Sequence, residues 1–135
     1  MKPIWTPDPD FVKESNYSQF NQWLSEQKGL DFEDYEALWA WSCDNLETFW
    51  NYIIEYYDIE LKGDHGPVVS SHEMPGVKWF EGARVNYTRE LFKRRSEDHP
   101  ALITKSERRS TKEISWDELF DKVASSATFL KGQSV

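Results

Sequence analysis

The 135-residue sequence is short of the residues that build covalent and metal-bound scaffolds: one Cys, three His and two Met. A lone thiol, Cys43, can close no internal disulfide and cannot supply a structural zinc site. A cytoplasmic protein is the natural expectation. Basic residues are also scarce. Sixteen Lys and Arg face 24 Asp and Glu, a net charge of −8. That balance excludes a general binder of the phosphate backbone, so no nucleic-acid partner is expected. No stretch nears the roughly 18 consecutive apolar residues of a spanning helix. The opening Met1-Lys2-Pro3-Ile4-Trp5-Thr6-Pro7-Asp8 has neither the apolar run nor the small-residue cleavage site of a secretory signal. No membrane is implied, and no internal repeat or low-complexity tract is visible.

What the sequence has in quantity is aromatic side chains: seven Trp, six Tyr and eight Phe, 16% of the chain. Disordered chains are poor in them, so global disorder is excluded despite 30% charged residues. The charge is unevenly spread. Residues 1–60 carry 3 basic and 13 acidic side chains, and residues 61–135 carry 13 and 11. Two segments with different surroundings are expected.

Pro3, Pro7 and Pro9 make the first dozen residues read as an extended arm, and Trp5 and Phe11 would dock it on something. Phe20, Trp23, Leu24 and Gln27, with Tyr17 a turn earlier, predict a helix over about 16–28. Ser15 or Asn16 can start it and Gly29 can end it. A second helical region spans about 32–58, with Asp31 as cap and Asp34 favouring its positive end. Tyr35, Leu38 and Trp39 share one face. Leu46, Phe49, Trp50, Ile53, Ile54 and Tyr57 give the strongest periodic signal in the chain. The stretch Trp41-Ser42-Cys43-Asp44 leaves open whether this is one helix or two, Ser42 being the candidate second cap.

From about 61 to 85 periodicity vanishes among Gly63, Gly66, Pro67, Pro75, Gly76 and Gly82. A long irregular stretch in a small chain implies function or a strap lying on a neighbouring surface. Trp79 and Phe80 favour the strap. A helix follows at about 86–95, capped by Asn86, with Tyr87 and Leu91 inward. Residues 101–105 read as a strand, 106–111 as a polar turn and 112–114 as a return strand: a hairpin with a long loop. Ser115-Trp116-Asp117-Glu118 is a capping box. It opens a last helix with Trp116, Leu119, Phe120, Val123, Ala124, Ala127 and Leu130 on its apolar face and Gly132 at its end. The fold class is therefore mainly α with one β-hairpin.

Candidate chemistry is thin. His65 and His72 lie seven apart in a loop beside Asp64 and Glu73, which is not metal-ligand spacing on a helix, and His99 stands alone. Cys43 has acidic neighbours, Asp44 and Glu47, the opposite of the electropositive setting that activates a thiol. Arg84, Arg89, Lys93, Arg94 and Arg95 form a basic patch that reads as a solvated face complementing a helix end. Arg84 is expected in an inter-segment salt bridge. Trp39, Trp41, Phe49, Trp50, Tyr56 and Tyr57 have the spacing of a packing core rather than of a sugar platform, with Trp41 off the main stripe and able to seal an interface. Paired acids such as Glu33-Asp34 are helix-start charges, not a general acid/base pair.

Four segments carry a resemblance. Ile4-Trp5-Thr6-Pro7 precedes Ser15-Asn16-Tyr17-Ser18-Gln19-Phe20. Tyr35-Glu36-Ala37-Leu38-Trp39-Ala40-Trp41-Ser42 is followed by Leu46-Glu47-Thr48-Phe49-Trp50. The most specific segment is Met74-Pro75-Gly76-Val77-Lys78-Trp79-Phe80-Glu81-Gly82-Ala83-Arg84-Val85-Asn86-Tyr87. Ile114-Ser115-Trp116-Asp117-Glu118-Leu119 closes the series. Together they resemble the N-terminal region of the acetoacetyl-CoA synthetases, acyl-CoA ligases of the adenylate-forming superfamily. Acetyl- or propionyl-CoA synthetase is the alternative within that class, and the Trp-Phe-x-Gly-Ala run weighs against it.

The resemblance implies a helical cap and strap over residues 1–98. It further implies the first hairpin and helix of an AMP-binding α/β domain over 99–135, cut short. In the family, ATP and acetoacetate give an acyl-adenylate that coenzyme A converts to the thioester, with Mg²⁺ on the phosphates. The family's phosphate loop has no match here: Gly63-Asp64-His65-Gly66 runs into Pro67 and opens no helix. No residue is therefore carried over as catalytic, cofactor-binding or metal-binding. The chain is expected to brace the remainder of a ligase and to be inactive alone. Trp39, Trp50, Trp79, Phe80, Arg84, Asn86 and Tyr87 are its structural or interface candidates. A stand-alone module that binds a protein or itself through exposed apolar faces is the reading of another class.

Overall fold

The computed structural model describes residues 4–73 and 75–133. Met74, within the most specific segment, lies outside the described residues. Among the described residues, six helices and one antiparallel hairpin follow in the order α1 (Pro9–Lys13), α2 (Asn16–Lys28), α3 (Tyr35–Asp44), α4 (Leu46–Tyr56), α5 (Tyr87–Phe92), β1 (Leu102–Ser106), β2 (Arg109–Ile114) and α6 (Trp116–Gly132). The chain is mainly α with one hairpin, as expected. It divides into two compact units, one ending at Val85 and the other beginning at Asn86. No helix among the described residues is long and apolar enough to cross a membrane.

Helix starts follow side-chain capping. Each of Asp8, Ser15, Asp34, Asn86 and Ser115 accepts a hydrogen bond from a backbone N–H in the first turn. The expected extended arm is wrong at its end. Asp8 caps α1 and Pro9 enters its first turn, where a missing N–H costs nothing. Trp5 and Phe11 do not dock on the described residues of this chain: they are 73% and 68% exposed. Gly29 ends α2 at φ 67°, a left-handed value that glycine adopts without a Cβ penalty.

The second helical region is two helices, and both capping expectations shift. The Asp34 carboxylate, not Asp31, accepts from Ala37 N at 2.8 Å. The break falls at Asn45, whose φ of −123° and ψ of 45° leave the helical region. Ser42 instead stays inside α3, its hydroxyl donating to Trp39 O at 2.7 Å, the local back-bond that an intrahelical serine makes.

In the first unit, Phe20, Leu24 and Leu38 are buried, and Leu24 is fully enclosed. Trp23, Trp41, Phe49, Tyr52, Ile53 and Tyr56 pack around them. Phe20 meets Phe49 and Tyr56 edge-on, with centroids 6.1 and 5.1 Å apart, and stacks on Trp23 at 5.9 Å. Such pairings add about 0.5–1.5 kcal/mol each beyond area burial. The expected α3 face is corrected. Leu38 points inward, but Tyr35 and Trp39 are 64% and 58% exposed, and Trp41 takes the packing role, against Phe32, Phe49 and Tyr52.

The strap between α4 and α5 is more ordered than its lack of periodicity predicts. Isolated antiparallel bridges tie Lys62 to Arg84 and Val69 to Trp79. Phe80 N donates to Val68 O and Ser70 N to Lys78 O, both at 2.9 Å. Val68 and Val69 are buried. Gly82, at φ 93°, lets the strap close: a Cβ there would sit 2.7 Å from Asp64 O, well inside contact distance.

In the second unit α5 is shorter than expected, and Tyr87 faces solvent at 76% exposure. The hairpin loop is not long. Ser106 pairs with Arg109, leaving only Glu107 and Arg108 in the turn, and one irregularity lies between Thr104 and Ser106. Polar Arg109–Thr111 continue the strand because a two-stranded ribbon with exposed faces needs no apolar alternation. Gly132 is the last residue of α6, as expected, and Gln133 is its C-cap.

Candidate functional site

The surface that best merits the term runs from α4 onto the strap. Helix α4 has apolar side chains on more than its core stripe. Phe49 and Ile53 turn inward, while Trp50 stands 37% exposed. The strap brings Trp79 to it: the two indoles meet edge-on at 5.6 Å, and Trp79 keeps 46% of its surface in water. Both indoles thus present apolar surface that a neighbouring surface could cover.

The strap's turn sets this geometry. Phe80 adopts φ 45°, a left-handed value unusual for a bulky residue. Ala83 N donates to Phe80 O at 2.8 Å, and the Phe80 ring lies edge-on to His65 at 5.9 Å. Lys78 pairs with Glu81 across the turn. Arg84 joins segments through its main chain: its N and O are 2.8 and 2.9 Å from Lys62 O and N. Among the described residues its side chain makes no ion pair, so the expected inter-segment salt bridge is replaced by a backbone bridge.

The other candidates divide between the units. Asn86 is an N-cap, its side-chain oxygen accepting from Arg89 N at 3.1 Å. Tyr87 stands beside it on α5. In the second unit Phe92 of α5 packs edge-on against Trp116 and Phe120 of α6, at 5.9 and 5.5 Å. Phe120, Phe129 and Leu130 nonetheless remain 55%, 66% and 49% exposed, and so do Leu102 and Ile103 of β1, at 44% and 64%. Val68 and Val69 are structural residues that sequence reading passed over. Their only signal was a β-branched pair in a stretch otherwise lacking pattern.

Among the described residues no three of His, Cys, Asp and Glu are grouped as a metal ion requires. Cys43 is a free, exposed thiol. Lys93 pairs with its helix neighbour Glu90 at 3.1 Å. Two open grooves lie along the hairpin and beside the start of α6, lined by surface side chains such as Arg108, Lys112, Glu97 and Asp117. Neither has the concave apolar walls of a small-molecule site.

Comparison with known proteins supplies the context. Residues 35–90 match the family model described as the acetyl-coenzyme A synthetase N-terminus. The acetoacetyl-coenzyme A synthetase of Rhizobium meliloti is 28% identical over 134 residues, covering 99% of this chain and 20% of the relative. The Danio rerio acetoacetyl-CoA synthetase is 30% identical over 78% of this chain and 16% of the relative. The solved acetoacetyl-CoA synthetase from Streptomyces lividans superimposes with a TM-score of 0.81 and 32% identity, over 100% of this chain and 21% of that one. The chain spans about a fifth of the length of these relatives. It corresponds to the N-terminal region of the acetoacetyl-CoA synthetases.

Proposed function

We propose that this chain is the N-terminal part of an acetoacetate–CoA ligase, the enzyme that joins acetoacetate to coenzyme A at the expense of ATP. Its own role is architectural. The observation that carries this reading is coverage. One likeness runs through 99–100% of the chain, in sequence and in structure, yet occupies only a fifth of each relative. The exposed apolar positions support a brace. Trp50 and Trp79 in the first unit, and Leu102, Ile103, Phe120 and Phe129 in the second, are the side chains that the remainder of a ligase would cover. ATP, Mg²⁺ and coenzyme A belong, in this reading, to that remainder. A cytoplasmic setting accords with the single exposed thiol.

An assay of ATP- and CoA-dependent thioester formation tests the division of labour. The purified chain is expected to give no product with acetoacetate. Co-expression with the Streptomyces lividans synthetase lacking its matching fifth is expected to restore soluble, active enzyme. Turnover by the chain alone would overturn the proposal, as would failure of co-expression to recover any activity. A second reading, the front of an acetyl-CoA ligase, is favoured by the description of the family model that matches residues 35–90.

A further inference from the structure

Helix α3 presents an outward face whose chemistry is complementary to a cation. Tyr35 and Trp39 are helix neighbours at i, i+4, and Glu36 and Trp39 at i, i+3. Both rings are more than half exposed. Glu33 precedes the helix, Glu36 sits in its first turn and Asp44 ends it, and α3 carries no basic residue at all. Over residues 16–56 the only basic side chain is Lys28, against eight Asp and Glu.

Lys28 shows how this unit treats a cation. Its ammonium lies 5.2 Å from the Trp23 ring centroid and 4.8 Å from that of Tyr52, while Glu55 accepts from it at 2.7 Å. An indole, a phenol and a carboxylate together hold one positive charge. The same three groups recur on the outward side of α3, as Trp39, Tyr35 and Glu36, and among the described residues no cation of this chain lies on them. The two sites differ in one respect: the first is filled from within the helical unit, and the second faces outward.

We propose that the Tyr35–Glu36–Trp39 face of α3 is a docking site for an arginine-bearing segment of a partner polypeptide. A guanidinium suits it better than an ammonium, because a planar cation stacks on an indole while keeping in-plane N–H donors for a carboxylate. The acidic surroundings add long-range attraction and exclude acidic partners. This inference goes beyond the brace reading and does not depend on it, since it rests on Tyr35, Glu36 and Trp39 and uses neither Trp50 nor Trp79.

The test uses the whole chain and a fluorescein-labelled peptide of alternating Arg and Gly, followed by anisotropy at two salt concentrations. Saturable binding that weakens with salt is expected. Trp39→Ala should weaken it by about two- to fivefold. Glu36→Gln should weaken it comparably, whereas Glu26→Gln, an exposed acid on α2, should leave it within about 1.5-fold. Unchanged far-ultraviolet circular dichroism in both α3 variants separates loss of the site from loss of the fold. Absence of saturable binding would overturn the proposal. So would equal weakening by Glu36→Gln and Glu26→Gln, which would mark unspecific attraction to net charge, or binding indifferent to Trp39→Ala.

Discussion

The two compact units meet the same requirement, burial of apolar surface, with opposite outcomes. The first encloses Phe20, Leu24, Leu38, Val68 and Val69. In the second, α5 and α6 hold no buried residue, and both strands of the hairpin are exposed almost throughout. Yet the second unit is not deficient in apolar residues: α6 alone has Trp116, Leu119, Phe120, Val123, Phe129 and Leu130. The difference is geometric. Three helices in succession, joined by short turns, can close around one another. A two-stranded ribbon and a pair of helices cannot enclose a core, and an isolated hairpin is marginal in water. What the contrast teaches is that one unit supplies its own hydrophobic stabilisation, while the other leaves its apolar side chains largely in water.

The largest expected effect comes from attacking that contrast at its extremes. Leu24 is fully enclosed, so Leu24→Ala removes methyl groups and leaves a cavity, at a cost of about 2–5 kcal/mol. Phe120 is half in water, so Phe120→Ala should cost about 1 kcal/mol or less. Urea unfolding followed by tryptophan fluorescence reads both. Native-state hydrogen exchange sharpens the comparison: amides of α2, α3 and α4 should be protected well beyond those of β1, β2 and α6. Equal protection in the two units would show that the second has a source of stability other than side-chain burial.

The contrast was partly legible in the residues. Phe20, Trp23 and Leu24 recur at helical spacing, and that period identified the first helix of the region that packs. Sequence alone misjudged which side of α3 turns inward, because Tyr35, Leu38, Trp39 and Trp41 are all apolar or aromatic and a helix this hydrophobic offers two plausible stripes. Burial of Val68 and Val69 was not legible. It depends on the strap folding back through single bridges to Arg84 and Trp79, and contacts so far apart in sequence leave no period. The Trp50–Trp79 pair escaped for the same reason, although each residue was singled out separately. The short hairpin turn was obscured by the polar run Ser106–Thr111, since exposed strands and loops share that composition.

A middle-sized effect separates local from tertiary stabilisation. Ser115 Oγ accepts from Glu118 N at 3.1 Å and opens α6, and the Glu118 carboxylate lies 3.3 Å from Lys122 one turn on. With no buried residue on α6, its cap is a larger share of what holds it. Ser115→Ala should cost about 1 kcal/mol and lower the helical circular dichroism signal at ambient temperature. Asp34→Ala removes the equivalent cap from α3 and should cost a similar amount. There the packed neighbours should keep the helix formed, so only the unfolding midpoint should move. If both variants lost helix content alike, α3 would be no better supported by packing than α6.

The smallest effect concerns Tyr17, at the edge of the first unit's core. Its ring lies 5.8 Å from Tyr35, and its hydroxyl is buried without a hydrogen-bond partner. Burial first, and the Asp34 charge second, push its pKa above the ordinary tyrosine value. The sign follows from proton counting. Below about pH 10 folded and unfolded chains both hold the proton, so pH has no leverage through this group. Above that value the unfolded chain releases the proton while the folded chain retains it, and stability falls as pH rises toward the folded-state pKa. Tyr17→Phe removes both the ionisation and the unpartnered hydroxyl. At pH 7 it should leave the urea midpoint unchanged or raise stability by up to about 1 kcal/mol, and between pH 10 and 11 it should lose less stability than the parent chain. An equal alkaline loss in both proteins would mean that Tyr17 is as easily ionised in the fold as in water, and that the core ends before it reaches this residue.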